Sequence, residues 1–219
     1  WKKATEITIR DGYGQTETVL VCGNYPGLEP RFGSMGKPMP GIEMATIDSK
    51  GKVVDVNQEG DIAIRVKPDR APGLFVNYRG DNERFNSCFV GDWYITGDRG
   101  MVDEDGYYWF ISRADDVILS AGYRIGPFEV ESALIEHASV AESAVVASPD
   151  GTRGAIVKAF VVLSPGHQGS DELVTELQEH VKGATAPYKY PRKIEFVESL
   201  PKTVSGKIRR IELREQEEL

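Results

Sequence analysis

The pattern of hydrophobic and turn residues changes once along this chain, near residues 114–116, and this change limits the possible folds more than any other feature. Before it, Gly and Pro separate short runs of β-branched, aromatic or alternating apolar residues, at 42–47, 60–66, 93–96 and 107–111. Runs of this kind predict short strands, and Asp-Glu-Asp-Gly at 103–106 predicts a hairpin turn. We therefore expect a small antiparallel sheet or barrel in the first half of the chain.

After residue 113 the pattern becomes that of alternating helices and longer strands. Pro127 can begin a helix, because its missing N–H would have no partner in the first turn. Ser170 can cap a second helix. Dense Val and Ala predict strands at 140–147 and 156–163, and a further strand is expected at 193–197.

Together these patterns predict the α+β fold class. We expect a partial N-terminal body with a small β-barrel-like subdomain in residues 1–113, followed by a compact α+β C-terminal cap domain in residues 114–219. The opening Trp-Lys-Lys-Ala-Thr is typical of a helix already under way, so we expect further residues before Trp1. The acidic residues 215–218 are expected to form a solvated tail.

Composition excludes several classes of function. The net charge of −8 opposes binding to a polyanion, so nucleic acid is not an expected partner. Cys22 and Cys88 lie far apart, and the three histidines are scattered, so neither a disulfide framework nor a metal motif is predicted. No apolar run approaches the ~20 residues that a transmembrane helix needs, so we expect neither a transmembrane helix nor a signal peptide within these residues.

Four segments carry residues suited to nucleotide chemistry. The first, residues 11–17 (Asp-Gly-Tyr-Gly-Gln-Thr-Glu), follows a β-like run at 6–10. Its glycines allow close approach of a ligand, Tyr13 offers a flat face, and Glu17 offers a carboxylate for Mg²⁺. Read alone, the segment is equally compatible with a polar turn that contains a buried tyrosine.

The other three segments follow in order along the chain. Thr96-Gly97-Asp98 places a carboxylate at a strand end, which suits the hydroxyls of a ribose, although an Asp there can also cap a turn. Residues 112–127 bring two Arg and two Asp next to a Gly-containing hairpin at the expected domain boundary. In residues 200–208, Pro and Gly frame a loop with Lys207 at its tip, a point charge suited to a developing oxyanion.

In this order and approximate spacing the four segments resemble the adenylate-forming superfamily, which includes acyl-CoA synthetases, peptide-synthetase adenylation domains and luciferases. The resemblance covers essentially all 219 residues. Residues 185–193 (Thr-Ala-Pro-Tyr-Lys-Tyr-Pro-Arg-Lys) are similar to the mitochondrial medium-chain acyl-CoA synthetases. The resemblance implies an AMP-forming fatty acid:CoA ligase of the mitochondrial matrix that uses ATP, coenzyme A, Mg²⁺ and a medium-chain carboxylic acid.

The resemblance also implies roles for individual residues. The adenine and α-phosphate would be lined by Asp11, Gly12, Tyr13, Gly14, Gln15 and Thr16. Glu17 would hold Mg²⁺, Asp98 and Arg113 would bind the ribose, and Asp115 would be the hinge about which the small domain turns. Lys207 would bridge the carboxylate and the α-phosphate, so the catalytic set is Lys207, Thr16 and Glu17. The coenzyme A arm would meet Ala121, Gly122 and Tyr123, Arg124 would approach the ATP phosphates, and Arg153 and Lys182 are candidates for the coenzyme A nucleotide.

The chain departs from the family pattern in a few places. Ser112 replaces the Gly usual before the hinge Arg, and Leu119 stands where Lys is common. Nothing here matches the family's Ser/Thr/Gly-rich phosphate loop. We therefore expect a truncated form with little or no synthetase activity by itself.

Three hypotheses stay open from the sequence. The chain can be a catalytic part that works only with its N-terminal half, a non-catalytic product of a truncated transcript, or part of an adenylation domain that loads a carrier protein. The residues upstream of Trp1 would separate the first two. No basic patch for a carrier protein is evident to favour the third.

Overall fold

A computed structural model of the chain, described here for residues 1–217, divides into two compact units, the first spanning Trp1–Ala114 and the second beginning at Asp115. The first unit is mostly strand. Its helices and strands are α1 (Lys2–Thr5), β1 (Gly12–Gln15), β2 (Val19–Gly23), β3 (Lys37–Pro38), β4 (Met44–Ile47), β5 (Gly60–Arg65), α2 (Asn82–Ser87), β6 (Phe89–Val90), β7 (Trp93–Val102) and β8 (Tyr108–Arg113).

Two antiparallel sheets organise the first unit. One has the order β1-β2-β3, and the other has the order β4-β5-β7-β6 with β8 paired to β7. The long strand β7 is central because it pairs with β5, β6 and β8. The main core contains Val21, Ile62, Ile64 and Tyr94, which come from both sheets. Burial of these apolar side chains is the main favourable free-energy term for this unit.

The second unit is a layered α+β domain. It contains β9 (Ile118–Ser120), β10 (Tyr123–Ile125), α3 (Pro127–Ile135), β11 (Val140–Asp150), β12 (Gly154–Leu163), α4 (Asp171–Ala184), a 3₁₀ turn (Pro187–Lys189), β13 (Lys193–Phe196) and α5 (Arg210–Glu217). The three strands β11, β12 and β13 form one sheet, in which β12 and β13 are parallel. Ser170 caps α4 by accepting a hydrogen bond from Leu173 N.

Alternation along β11 and β12 gives this sheet two apolar faces, because successive side chains point to opposite sides of a strand. Val145, Val157 and Val161 pack with residues of α3 and α4 on one face. Ala144, Val146 and Phe160 pack with Leu213 of α5 on the other. The sheet is therefore covered on both sides within this unit.

The α+β prediction is confirmed, and the helices and strands expected after Pro127 are present. In the part of the chain that the structure describes, no sheet closes into a barrel. Two local expectations were wrong. Residues 6–10 form no strand, and residues 215–217 belong to α5, where Glu217 pairs with the buried Lys158.

Candidate active site

The Asp98 carboxylate is the centre of a hydrogen-bonded cluster in the first unit. Asp98 lies on β7 with 5% of its surface exposed. It accepts hydrogen bonds from the Tyr13 hydroxyl at 2.6 Å and from Gln15 Nε2 at 2.9 Å. Arg113 lies opposite Asp98 in the β7–β8 register, and its Nη1 is 3.3 Å from Asp98 Oδ1. Three residues predicted from two other segments, Tyr13, Gln15 and Arg113, therefore converge on the Asp98 carboxylate.

The strand β1 explains why Tyr13 and Gln15 point the same way. Residues 13 and 15 are half-buried while 12 and 14 are exposed, as expected for a strand with one face toward the protein. A Cβ at Gly14 would lie 1.8 Å from the Val19 carbonyl oxygen, so no larger residue fits without moving the backbone. Gly14 is therefore required by close contact with β2, in addition to any role toward a ligand.

The electrostatics of the cluster keep Tyr13 a hydrogen-bond donor. Burial, and then the charge of Asp98, raise the pKa of Tyr13 above its ordinary value. Tyr94 donates to Gln15 Oε1 at 3.3 Å, and burial raises the pKa of Tyr94 as well. Arg113 is 46% exposed at the side chain whereas Asp98 is 6% exposed, so the ion pair lies at the surface end of the cluster. An arrangement of this kind presents a fixed carboxylate and a guanidinium to a polar ligand.

The Glu17 carboxylate has a partner that sequence reasoning missed. The Tyr78 hydroxyl donates to Glu17 Oε1 at 2.9 Å. Burial, and then the hydrogen bond to Glu17, raise the pKa of Tyr78 to about 12. The Glu17 backbone is also held, because its carbonyl accepts a hydrogen bond from Phe75 N at 2.7 Å. Tyr78 and Glu17 are 61 residues apart, and no local pattern links them.

Asp11, Gly12 and Thr16 are, with Gly14, the exposed candidates of the first motif. Asp11 lies immediately before β1, and its carbonyl accepts a hydrogen bond from Asn24 N at 2.9 Å. Thr16 lies in the turn that joins β1 to β2. Both are thus placed at the two ends of the strand that carries Tyr13 and Gln15.

In the second unit, the tight hairpin of β9 and β10 carries Ala121, Gly122, Tyr123 and Arg124. Ala121 and Gly122 have φ values of +49° and +85°, a conformation that reverses the chain in two residues. Ala121 N donates to the Arg153 carbonyl at 3.1 Å, so the hairpin and Arg153 are neighbours. The Tyr123 ring stacks on Tyr188 with centroids 4.3 Å apart.

Lys182 lies on α4 and contacts an acidic and an aromatic side chain. Its ammonium is close to the Glu179 carboxylate and lies 4.3 Å from the centre of the Tyr190 ring. Arg192 stacks on the same ring at 4.9 Å. These contacts bring two cations onto one aromatic ring near the end of α4.

Lys207 lies on an exposed loop whose two ends are held together by backbone hydrogen bonds. Lys202 and Ile208 form an isolated bridge, Thr203 N donates to Lys207 O at 2.8 Å, and Gly206 at φ +83° makes the turn. Residues 202–207 are all exposed. Lys207 therefore occupies an exposed position at the end of this loop.

Two family models and several curated proteins match the sequence of this chain. A model of the AMP-binding enzyme family matches residues 1–74, and a model of the AMP-binding enzyme C-terminal domain matches residues 129–207. The mitochondrial acyl-coenzyme A synthetase ACSM3 of Rattus norvegicus is 61% identical over 99% of this chain, and the human ACSM3 is 58% identical over the same share. This chain belongs to the AMP-binding enzyme family.

A solved member of the family has the same fold. The crystal structure of the anthranilate CoA ligase AuaEII in complex with anthranoyl-AMP superposes with a TM-score of 0.88 at 40% identity, over 99% of this chain and 41% of that one. The chain spans 38% of the length of the rat ACSM3 and 37% of the human protein. Asp98, Arg113 and the β9–β10 hairpin lie between the two stretches that match the AMP-binding models. None of the helices within residues 1–217 is long and apolar enough to cross a membrane.

Proposed function

We propose that this chain is the C-terminal part of an AMP-forming acyl-CoA synthetase that acts on medium-chain carboxylic acids in the mitochondrial matrix. The observation that supports it most is the convergence of Tyr13, Gln15 and Arg113 on Asp98 in a chain 61% identical to a mitochondrial acyl-coenzyme A synthetase. The proposed reaction has two steps. A carboxylate oxygen attacks the α-phosphorus of ATP, pyrophosphate leaves, and the thiol of coenzyme A then attacks the acyl carbonyl and releases AMP.

The residues of the first unit are proposed to bind the nucleotide. The Asp98 carboxylate and the Arg113 guanidinium offer an acceptor and a donor for the two ribose hydroxyls, as acidic residues do in other nucleotide sites. Asp11, Gly12, Tyr13, Gly14, Gln15 and Thr16 are proposed to line the adenine and the α-phosphate. The mutual hydrogen bonds of this cluster fix the carboxylate before a ligand arrives, which lowers the entropy lost on binding.

Glu17 is proposed to hold Mg²⁺. Mg²⁺ in nucleotide sites commonly takes one or two carboxylates together with phosphates and waters, and a single half-buried carboxylate oriented by Tyr78 fits that need. The ion would neutralise negative charge on the phosphates.

Lys207 is proposed to act in the first step only. The acid and ATP are both anionic, so their approach needs a compensating positive charge. An ammonium on an exposed loop can stabilise the charge that develops on the α-phosphate oxygens.

The second step is proposed to use the β9–β10 hairpin, which would bind coenzyme A through Ala121, Gly122 and Tyr123 together with Arg153 and Lys182. Arg124, on the same hairpin, is proposed to approach the ATP phosphates. Asp115, the first residue of the second unit, is proposed as the hinge.

The test uses the full-length protein that contains these 219 residues, with ATP, Mg²⁺, coenzyme A and carboxylic acids from acetate to dodecanoate. We expect ATP-dependent pyrophosphate release and formation of acyl-CoA, with the highest kcat/KM for acids of medium length. Absence of pyrophosphate release with every acid would refute an adenylate-forming activity. Pyrophosphate release without acyl-CoA would instead favour loading of another acceptor. The 219-residue chain alone is expected to form little or no acyl-CoA.

A further inference from the structure

We infer that Arg210, held by Glu131 and Asp116, is a positioning residue that fixes the loop carrying Lys207 for the adenylation step. The inference rests on the role proposed for Lys207. Arg210 is the first residue of α5 and stands three positions after Lys207 in the sequence. Nothing in the sequence patterns pointed to it.

The pair formed by Arg210 and Glu131 is bidentate and partly buried. Glu131 lies on α3 with 6% of its surface exposed. Arg210 Nε and Nη2 are 3.1 Å and 2.6 Å from Glu131 Oε1 and Oε2, and Val145 N donates to Oε1 at 2.8 Å. A planar guanidinium that binds both oxygens of a carboxylate fixes orientation as well as distance. The start of α5 is therefore locked in one geometry relative to α3.

A second carboxylate connects the same arginine to the beginning of this unit. Arg210 Nη1 lies 3.6 Å from Asp116 Oδ2, and Arg214 pairs with Asp116 Oδ1. The Arg214 guanidinium also reaches the Asp115 carbonyl at 3.5 Å. The residues that directly follow the proposed hinge are thus tied to the helix that follows the Lys207 loop.

The loop is tied to Arg210 through its backbone. Arg209 N donates to Pro201 O at 2.8 Å, and this bond closes the base of the loop one residue before Arg210. On the other arm, Lys202 pairs with Glu142 of β11 at 2.6 Å. Because the tip makes few contacts of its own, the direction of Lys207 depends on how this base is held.

Attachment of α5 to the sheet does not depend on Arg210 alone. Leu213 is 3% exposed and packs with Phe160 and Leu200, and Glu217 pairs with Lys158 at the far end of the helix. Loss of Arg210 should therefore leave the helix in place and change the angle at which the loop leaves it. This is why we assign Arg210 a positioning role and not only a structural one.

The experiment compares Arg210→Met with Arg209→Met in the full-length protein. Arg209 is the neighbouring arginine, which precedes α5 and pairs with Glu212 of that helix, and its side chain is 49% exposed compared with 23% for Arg210. Adenylation is measured by ATP–pyrophosphate exchange, and thioester formation is measured from preformed acyl-adenylate. We expect Arg210→Met to slow adenylation by roughly 10- to 100-fold, the effect of misplacing a reacting group by about 1 Å. Thioester formation and the Arg209→Met variant should stay close to the parent protein.

A double mutant separates positioning from general damage. If Arg210 acts through Lys207, Arg210→Met should add little to Lys207→Ala, because the group that it positions is already absent. Arg210→Lys keeps the positive charge but cannot bind both carboxylate oxygens as a guanidinium does, so it should recover part of the exchange rate. If Arg210→Met does not fold, Arg210→Lys takes its place in the comparison. Equal losses in both half-reactions, or a full additional loss in the double mutant, would overturn the inference. Normal exchange by Lys207→Ala would instead show that the role proposed for Lys207 is wrong.

Discussion

The Asp98 cluster and the Lys207 loop present their charges in opposite ways. Around Asp98, Tyr13, Gln15 and Arg113 bind the carboxylate directly, and the side chain of Asp98 is almost fully buried. Lys207 lies on a loop whose tip is exposed, and the structure fixes only the base of that loop. A group that binds a ligand in its resting state benefits from being fixed beforehand, whereas a cation needed in one step only can remain hydrated until then. The two regions should therefore respond differently to mutation.

The largest effect that would test this contrast is expected for Lys207→Ala. Removing a positively charged group from a developing oxyanion typically costs about 10²- to 10³-fold in kcat. We expect that loss in ATP–pyrophosphate exchange by the full-length protein, with thioester formation from acyl-adenylate largely retained and with no change in the thermal midpoint. A lowered midpoint would mean that the loop is part of the folded framework after all.

A pair of glycine variants compares the packing of the Asp98 cluster with that of the exposed β9–β10 hairpin in the second unit. At Gly14 an added methyl group would meet the Val19 carbonyl at 1.8 Å, so Gly14→Ala should destabilise the first unit by about 3 kcal/mol, the upper range for overpacking. At Gly122 an added Cβ would meet no atom of residues 1–217 within 4 Å apart from its chain neighbours, and the φ of +85° opposes a side chain at a cost of roughly 1–2 kcal/mol. Similar losses at both positions would remove the proposed contrast.

The composition of the chain makes this measurement specific to each unit. All three tryptophans, Trp1, Trp93 and Trp109, lie in the first unit, so indole fluorescence during urea unfolding reports that unit. Amide hydrogen exchange of β11 and β12 reports the second.

A smaller effect is expected for Asp98→Ala. The change removes the acceptor of the half-buried Tyr13 hydroxyl, which should lower the free energy of unfolding by about 1–3 kcal/mol. It should also lower kcat/KM for ATP by roughly 10- to 100-fold, the equivalent of the same energy range. Asp61→Ala is the matched control, because it removes another carboxylate of the same sheet, paired with Arg99 at 2.9 Å. Loss of stability with unchanged ATP kinetics would remove Asp98 from the nucleotide site.

The smallest effect is expected for Tyr78→Phe. This change removes one hydrogen bond to Glu17, worth about 1 kcal/mol, and keeps the ring that packs on Phe75. We expect a several-fold rise in the Mg²⁺ concentration that gives half-maximal exchange. Tyr107→Phe, which loses a hydrogen bond to the Glu29 carbonyl instead, should leave the Mg²⁺ dependence unchanged. Equal shifts in both variants would show that the effect is not specific to Glu17.

Sequence patterns predicted the second unit well because its signals are local. The Ser170 cap, the Pro127 start and the dense Val of β11 and β12 are all readable within a few residues. The errors arose where local pattern and tertiary contact disagree. Ile7 and Ile9 alternate like a strand, but each is 60% exposed and lies outside the strands that the structure describes. Residues 215–217 look like a charged tail, but they end α5, which is held by Leu213 and by long-range ion pairs.

The candidate site shows the same limit. Its motifs could be found because each is contiguous, and the family resemblance supplied their order. The contacts between the motifs could not be predicted, because Tyr13 and Asp98 are 85 residues apart in the sequence and Arg210 and Glu131 are 79 residues apart. Tyr78, Glu131 and Arg210 carry no distinctive local pattern and became visible only through the fold.

The backbone hydrogen bond of Ala114, the last residue of the first unit, limits how far motion of the following residues can affect Asp98. Ala114 N donates to the Gly97 carbonyl at 2.9 Å, directly beside Asp98. This bond fixes the end of β8 beside the carboxylate, so backbone rotation in the residues that follow need not move Asp98. Residues inserted after Ala114 should therefore leave the proposed ribose recognition intact, whereas a single residue inserted within β8 before Arg113 would shift Arg113 out of register with Asp98.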